Sequence, residues 1–366
     1  MIVHVFRTRS RNIVPSISKG FATVYCHDAE QFFILCGKGK KMHKQMYVEL
    51  YSQIGFDNYV FCQSYWQLVK QLYHFRKSAL LFHAGSYYWH LSALLLRCKN
   101  VNWVCWGGGT SKSKNRFSKI SLLIKKYVFN HFRSIVTLME PERKEIIKNF
   151  GVNPLKIHTI PYTSFNENMS EASLYCKQLL LNQHFDKTNK PVVFLGNSQY
   201  WINSYIDMLP RLHKYKGRIK IQCMLNYPFK KAENYYELVK LGRSIFGDDF
   251  GTNEDYYSDR KDYINYMNSC DIYICSVDKQ TGLGAISTCL QLGKKIYITG
   301  NNLEWVRYEY NSIVFSVDDI NEQLSYDMFV KPLSMEEKEH NFQNKIKCNI
   351  NNREKWHLYL KNIDNC

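Results

Sequence analysis

The sequence of 366 residues contains no uninterrupted apolar run of about 18 residues, so no stretch of it can cross a bilayer as a helix. Its opening residues, Met1 to Asn12, lack the long apolar core and small-residue cleavage site of a secretory leader and read as a first strand. Among its 12 cysteines there is no C-x-x-C pair, and most fall inside apolar runs, as at Cys36, Cys105, Cys223, Cys275 and Cys289. That excludes a zinc ribbon and leaves reduced core thiols of a cytoplasmic protein as the expectation. No internal repeat or low-complexity tract is present. No D-x-D-type carboxylate pair stands near a strand end, so no metal site and no cofactor are expected. Acid is scarce in one place: residues 1–165 hold 24 Lys and Arg against 7 Asp and Glu, whereas 166–366 hold 25 of each. The whole surplus of +17 therefore lies in the first half and points to an anionic partner there, a phospholipid surface, a nucleic acid or a phosphorylated substrate. A merely solvated basic face is the bland alternative.

What is present is an alternation of short apolar runs with helical segments. Ile2–Phe6, Phe32–Cys36, Asn58–Phe61, Ala79–His83, Val101–Cys105, Ser134–Leu138 and Ile157–Ile160 are continuous apolar runs, as expected of parallel strands covered on both faces. Helical stretches at Tyr65–Arg76, Trp89–Arg97 and Pro141–Phe150 lie between them. A polar linker spans 164–190, and a second α/β run follows with strands at Pro191–Leu195, Ile219–Leu225, Ile272–Cys275 and Lys295–Ile298. The pattern predicts two doubly wound α/β domains, 1–165 and 191–335. The polar helical tail from about 336 to 366, anchored by Trp356, Leu358 and Leu360, is expected to return to the first domain.

The most informative stretch is Ser269 to Thr299, which reads strand, glycine-bearing loop, helix, strand. Lys279, Gln280, Thr281, Gly282, Leu283 and Gly284 form the loop and helix start. The first turn of a helix leaves backbone N–H groups unpaired and its dipole favours negative charge, so this is a candidate diphosphate site, with Lys279 beside it. An ordinary βα turn is the alternative. A bulky side chain at Gly282 is expected to block the phosphate while leaving the fold intact. After the apolar run ending at Leu195, Gly196, Asn197 and Ser198 form a polar turn able to offer two N–H groups and a hydroxyl to phosphate oxygens, or to serve as a plain Asx turn. Asn203, about a turn further on, caps locally or reaches the sugar. Tyr227, before Pro228, covers a nucleobase or packs in the core.

With these segments placed, the chain resembles the TDP-N-acetylfucosamine:lipid II N-acetylfucosaminyltransferase family, glycosyltransferase family fifty-six. Phe82-His83, Trp103 to Gly108, Phe194 to Ser198, Asn226-Tyr227-Pro228 and Gln280 to Gly284 carry the resemblance in order and spacing, and Trp356 fits it. It implies a GT-B fold, two Rossmann-like domains facing each other across a cleft, and transfer of a deoxy-amino sugar from a nucleoside diphosphate. The implied acceptor is an undecaprenyl-diphosphate-linked saccharide at the inner face of the bacterial membrane. The chain also departs from the family: Trp106-Gly107-Gly108 continues to Gly109-Thr110 instead of an acidic residue, and the helix after Gly284 lacks the glutamate that many GT-B enzymes use on the donor ribose. Polysaccharide pyruvyltransferases can also carry a triple glycine and stay as an alternative, although the Asn197-Ser198 loop favours sugar transfer. A basic nucleic-acid-binding protein is a second, but no HTH, RRM, KH or zinc module supports it.

Glu142 is the first candidate and His83 the second for the base that activates the acceptor hydroxyl, with Glu140 an equally placed neighbour of Glu142 that stays open. Glu142 opens a helix just beyond the strand ending at Leu138 and aligns with an acidic residue of the resembling family; a first-turn acid favoured by the helix dipole is its ordinary reading. His83 ends a buried strand at the expected ligand-binding edge of the first sheet, where a satisfied core histidine is the ordinary reading. Lys112 to Arg133 carries seven Lys and Arg, no acid, and apolar residues at spacings of three and four, the composition of an interfacial helix on anionic lipid or of a core helix with a basic outer face.

Overall fold

The computed structural model describes residues 1–8, 13–23, 30–37, 43–83, 87–106, 118–162, 171–182, 190–226, 232–255, 257 and 259–365. It separates into two compact units, Met1–Asn168 with Asn349–Cys366, and Met169–Cys348.

In the first unit seven strands run in chain order as β1 (Ile2–Arg7), β2 (Gln31–Cys36), β3 (Tyr59–Cys62), β4 (Ala79–His83), β5 (Asn100–Val104), β6 (Ser134–Thr137) and β7 (Ile157–Thr159). All pair in parallel, in the order β3-β2-β1-β4-β5-β6-β7. The apolar runs are continuous because both faces are covered. α1 (Ile13–Thr23) follows β1 and α2 (Lys44–Gln53) follows β2. Leu68 and Leu72 of α3 (Tyr65–His74), Ala93 of α4 (Tyr87–Leu95), Val128 and Phe129 of α5 (Ser118–His131) and Ile146 and Phe150 of α6 (Glu140–Phe150) close one face against Val3, Val5, Leu80, Phe82 and Trp103. Fully burying one such side chain contributes about 1.5–3 kcal/mol. The helix boundaries follow from local chemistry. Ser64 and Gln67 form a capping box that starts α3, and α6 has Pro141 in its first turn and stops at Gly151 in the left-handed conformation.

The second unit holds β8 (Val192–Leu195), β9 (Lys220–Met224), β10 (Phe250–Asn253), β11 (Ile272–Cys275), β12 (Lys295–Ile298) and β13 (Phe315–Ser316), parallel throughout in the order β10-β9-β8-β11-β12-β13. The two edge strands, β10 and β13, are absent from the sequence reading. Gly251, Thr252 and Asn253 make no apolar run, and β13 is two residues long. The helices that matter to the site are α8 (Ile202–Leu212), α9 (Tyr235–Phe246), α11 (Leu283–Gln291) and α12 (Gly300–Glu304), with α7 (Glu171–Leu181), α10 (Arg260–Asn268) and α13 (Tyr326–Val330) completing the unit to the start of α14 (Met335–Asp364).

The division between units falls inside α14, after Cys348, whereas the sequence reading gives the whole helix to the first domain. Residues before that point are held in the second unit, where Lys345 donates to the Tyr310 hydroxyl at 3.1 Å and Asn341 exchanges two hydrogen bonds with Ile313. Residues after it belong to the first. Trp356 is fully buried, donates to the Pro161 carbonyl at 3.0 Å and meets Phe21 of α1 (Ile13–Thr23) edge to face.

Candidate functional site

Strands β8 and β11 lie side by side in the second sheet although two strands and three α-helices separate them in sequence, so the connections leaving their C-terminal ends diverge and open a crevice. Open α/β sheets bind ligands at such a switch point. The turn 196–198 leaves β8 there, and the loop 276–282 leaves β11 and enters α11. The Asn197 side-chain amide donates from Nδ2 to the Thr281 hydroxyl at 3.2 Å, which ties the two loops together.

Underneath the first loop stands a residue that the sequence reading missed. Gly196 has φ +78°, and a Cβ on it would lie 2.1 Å from Cζ of Tyr205, so only glycine lets this α8 ring sit beneath the turn. The Tyr205 hydroxyl accepts from the amides of Asn197 and Ser198, both at 3.1 Å, and donates to the Ser198 carbonyl at 2.8 Å. Burial pushes its pKa up, which keeps the proton that this donation needs. The Ser198 hydroxyl accepts from the Tyr200 amide at 3.2 Å. The two backbone amides of the turn thus have a buried acceptor in Tyr205, whereas the Ser198 hydroxyl, an acceptor in its bond with Tyr200, keeps its own proton to donate.

At α11 the expected arrangement is in place. Gly282, with φ +65°, is the N-cap, and the first intrahelical bond runs from Ile286 to the Gly282 carbonyl at 2.9 Å. The amides of Leu283, Gly284 and Ala285 precede that bond and have no acceptor within the helix. The two glycines differ. A Cβ at Gly282 would come within 3.0 Å of the Tyr273 hydroxyl and 3.2 Å of Asn197, whereas one at Gly284 meets nothing within 4 Å. A bulky residue at Gly282 would thus strain the loop itself, contrary to the expectation that the fold would be untouched, and Gly284 is the position that opens on space. Asn302 of α12, fully buried, holds the loop from below by donating to the carbonyls of Thr281 at 3.2 Å and Lys279 at 3.4 Å. Lys279 is exposed; Gln280 and Leu283 are half-buried.

The remaining candidates of this unit divide. Asn203 is exposed on α8 and accepts from the Asn234 side-chain amide, 31 residues away, at 2.7 Å. Tyr227 and Pro228 lie outside the described residues. Among the described residues, Gln199 donates to the Leu225 carbonyl at 3.1 Å and accepts from the Ala232 amide at 3.0 Å.

In the first unit the two candidate bases are both buried. Glu142 is 2% exposed, and its Oε2 accepts from the Leu138 amide at 3.2 Å, closing the turn from β6 into α6. That is the ordinary first-turn use of an acid. His83 stands at the C-terminal end of β4, beside β1, at the switch point of the first sheet. It is 1% exposed, with Nε2 at 2.9 Å from His4 Nδ1 and Nδ1 at 2.9 Å from the Tyr162 hydroxyl. Burial, reinforced by His4, holds its pKa well below the ordinary histidine value, so the ring is neutral. Neither side chain is open to a substrate hydroxyl directly. The triple glycine 107–109 lies outside the described residues.

The family described as 4-alpha-L-fucosyltransferase, glycosyl transferase group 56, matches residues 163–360, more than half of the chain and the whole switch-point region of the second unit. The chain belongs to glycosyl transferase group 56. It is a glycosyltransferase of the fucosyltransferase family, and its two parallel-sheet units are those of the GT-B fold. Solved structures agree on the fold across nearly its full length. A glycosyltransferase from Rickettsia africae is 13% identical, with 99% of this chain and 98% of that one covered at a TM-score of 0.67. HepE from Anabaena in complex with UDP is 12% identical, with 99% and 98% covered at 0.61. Sucrose-phosphate synthase from Thermosynechococcus elongatus is 10% identical, with 99% and 97% covered at 0.62. With group 56 membership the pyruvyltransferase and nucleic-acid-binding alternatives fall away.

Proposed function

We propose that this group 56 enzyme transfers a deoxy-amino sugar of the 4-acetamido-fucose type from a nucleoside diphosphate, dTDP, to an undecaprenyl-diphosphate-linked saccharide in bacterial surface-polysaccharide (O-antigen or common-antigen) synthesis. The observation that carries the reading is the start of α11. Unpaired first-turn amides, a glycine with open space beside it and a loop fixed by Asn302 and Asn197 make a preorganised site for a diphosphate. As the glycosidic bond to the donor breaks, negative charge grows on the leaving diphosphate. Amides aimed at it, the positive helix end and the nearby Lys279 ammonium stabilise that charge. The nucleotide sugar is a substrate, and the reading calls for no cofactor or metal. HepE, of the same fold, has been solved with UDP-glucose, which supports a nucleotide-sugar donor here.

The acceptor's lipid anchor places the enzyme at the cytoplasmic face of the inner membrane as a peripheral protein. No helix among the described residues is long and apolar enough to cross a membrane. The supporting surface is on α5. Val128 and Phe129 of α5, with Phe132 just beyond it, enter the core, but Ile120 and Leu123 are each 67% exposed and Tyr127 is 52% exposed, beside Lys125 and Lys126. The helix thus has two apolar faces, one of them turned outward among cations, as anionic lipid requires. Phe117 lies outside the described residues.

The test is a panel of dTDP- and UDP-sugars with a polyprenyl-diphosphate-linked acceptor, following transfer and product anomer. Transfer from a dTDP-deoxy-amino sugar is expected, and turnover only with another donor class would overturn the assignment. Glu142→Gln and His83→Ala, run alongside with inversion of the anomer, decide whether either residue serves as the base. A loss of turnover of roughly 100-fold or more at intact donor affinity identifies it.

A further inference from the structure

A cavity of about 440 Å³, within the range of small-molecule pockets, opens in the first unit between the last turns of α14 and the edge strand β7. Lys355, Tyr359 and Ile363 line it from the helix, His158 from the strand, and Arg133 and Ser134 where β6 begins. It lies away from His83. Asn100 and Ser134, beside its inner end, open β5 and β6 at the N-terminal edge of the sheet, whereas His83 ends β4 at the C-terminal edge.

Hydrogen bonds fix what the inner wall can offer. Asn100 Nδ2 donates at 2.6 Å to the carbonyl of Ile363, in the last turn of α14, where a carbonyl has no partner within the helix. A carbonyl only accepts, so Asn100 Oδ1 faces the other way and takes a proton from Asn102 Nδ2 at 2.8 Å. The same Asn102 nitrogen reaches the Leu80 carbonyl at 3.3 Å, which leaves Asn102 Oδ1 to accept from the Ser134 hydroxyl at 2.7 Å. Ser134 thus gives its one proton to Asn102, and the Tyr359 hydroxyl, 2.6 Å from Ser134, must donate to it. Burial pushes the Tyr359 pKa up, so the proton for that bond is held. Tyr359 is 5% exposed and makes no other hydrogen bond among the described residues, and its ring is fixed by Trp356 and His158, with centroids at 5.8 and 5.4 Å. Toward the cavity its oxygen can only accept.

The outer wall offers the opposite. Arg133 and Lys355 are exposed, and among the described residues neither side chain has an ion-pair partner and no carboxylate lines the cavity. Glu140, which accepts from the Thr159 hydroxyl at 2.8 Å, is held by Arg143 at 2.9 Å. Cations outside and a lone-pair-only oxygen inside match a ligand with a phosphate at one end and a hydroxyl at the other. We infer that this cavity binds a phosphate ester carrying a free hydroxyl, with Arg133 and Lys355 on the phosphate and Tyr359 accepting from the hydroxyl. A soluble glycerol or sugar phosphate and a phosphatidylglycerol headgroup share that chemistry. The site needs neither the donor loop nor the transfer reaction.

The test compares glycerol 3-phosphate with propyl phosphate, which has the same charge and no free hydroxyl, by titration calorimetry on the full chain. The parent should bind glycerol 3-phosphate about 10-fold more tightly, the effect of one hydrogen bond, and Tyr359→Phe should bring the two ligands together. Arg133→Gln combined with Lys355→Gln changes exposed positions only, leaves the buried chain intact, and should weaken both ligands about 10-fold or more, with a smaller loss at high salt. Sedimentation with phosphatidylglycerol and phosphatidylcholine vesicles separates the sources. Phosphatidylglycerol binding that the double variant loses and glycerol 3-phosphate displaces marks a lipid headgroup; unchanged vesicle binding with the calorimetric loss marks a soluble phosphate ester. Equal affinity of the parent for both phosphates, affinity that the double variant retains, or no binding of glycerol 3-phosphate at millimolar concentration would each overturn the assignment.

Discussion

Replacing Gly284 by aspartate should change stability and binding in opposite directions. Gly284 is the second residue of α11, exposed, and a Cβ there meets no atom within 4 Å, so the substitution introduces no clash. Helix propensity and a carboxylate in the first turn both favour the variant, together by about 0.5–1.5 kcal/mol. For a unit of this size that is a rise in Tm of roughly 2–5 °C. The same carboxylate would sit where a diphosphate is proposed to bind. Two like charges about 4 Å apart near a protein surface repel by about 4 kcal/mol before ionic screening, so nucleoside-diphosphate affinity should fall by roughly 100-fold. Differential scanning fluorimetry and titration calorimetry with dTDP and UDP measure the two effects on one preparation. Gly284→Asn, which adds similar bulk without the charge, should lose less affinity, and the gap between them should narrow at high salt. A Gly284→Asp protein that is stabilised yet binds nucleotide as the parent does would refute the placement of the diphosphate.

Three further outcomes follow from named contacts. Gly196→Ala forces a left-handed alanine against the Tyr205 ring 2.1 Å away and should cost about 2–5 kcal/mol, read as a lowered urea midpoint; a loss under about 0.5 kcal/mol would show that the ring is not the support of the loop. Ile120→Glu with Leu123→Glu should cut binding to anionic vesicles about 10-fold or more without lowering nucleotide affinity, and binding of the parent should fall with salt; equal sedimentation of both proteins would contradict a membrane role for α5. Lys345 is wholly buried and its pKa is lowered to about 7 by desolvation. Between that value and the ordinary lysine value the unfolded chain holds a proton that the folded protein releases. Its contribution to stability therefore rises with pH from about 7 toward 10, by up to about 1.4 kcal/mol per unit, and denaturant titrations at pH 7 and 9 should show the rise in the parent and not in Lys345→Met.

The architecture was legible because parallel strands buried on both faces write themselves as continuous apolar runs. Each of the eleven runs overlaps a strand of the structure. What escaped was the sheet margin, where β10 is built of Gly, Thr and Asn after a single Phe and carries no apolar signal. At the site, glycines and their neighbours located the loops, since an N-cap glycine followed by an apolar helix is visible in one dimension. The groups that support those loops were not visible. Tyr205 is one tyrosine among 27, and only its depth beneath Gly196 distinguishes it; Asn302 reads as a surface residue of a short polar helix until its burial is seen. Likewise His83 could be placed at a strand end, but its partner His4 lies 79 residues away, and nothing in sequence pairs them. The acceptor that the backbone donors of Asn197 and Ser198 meet was hidden for the same reason: it comes from the next helix.

The most direct measurement is a crystal structure of the enzyme with a dTDP-sugar or its non-hydrolysable analogue. The account predicts phosphate oxygens within hydrogen-bonding distance of the Leu283 and Gly284 amides, with the Lys279 ammonium nearby and the Asn197–Thr281 contact retained. A diphosphate bound elsewhere in the second unit, with the first turn of α11 unused, would contradict it.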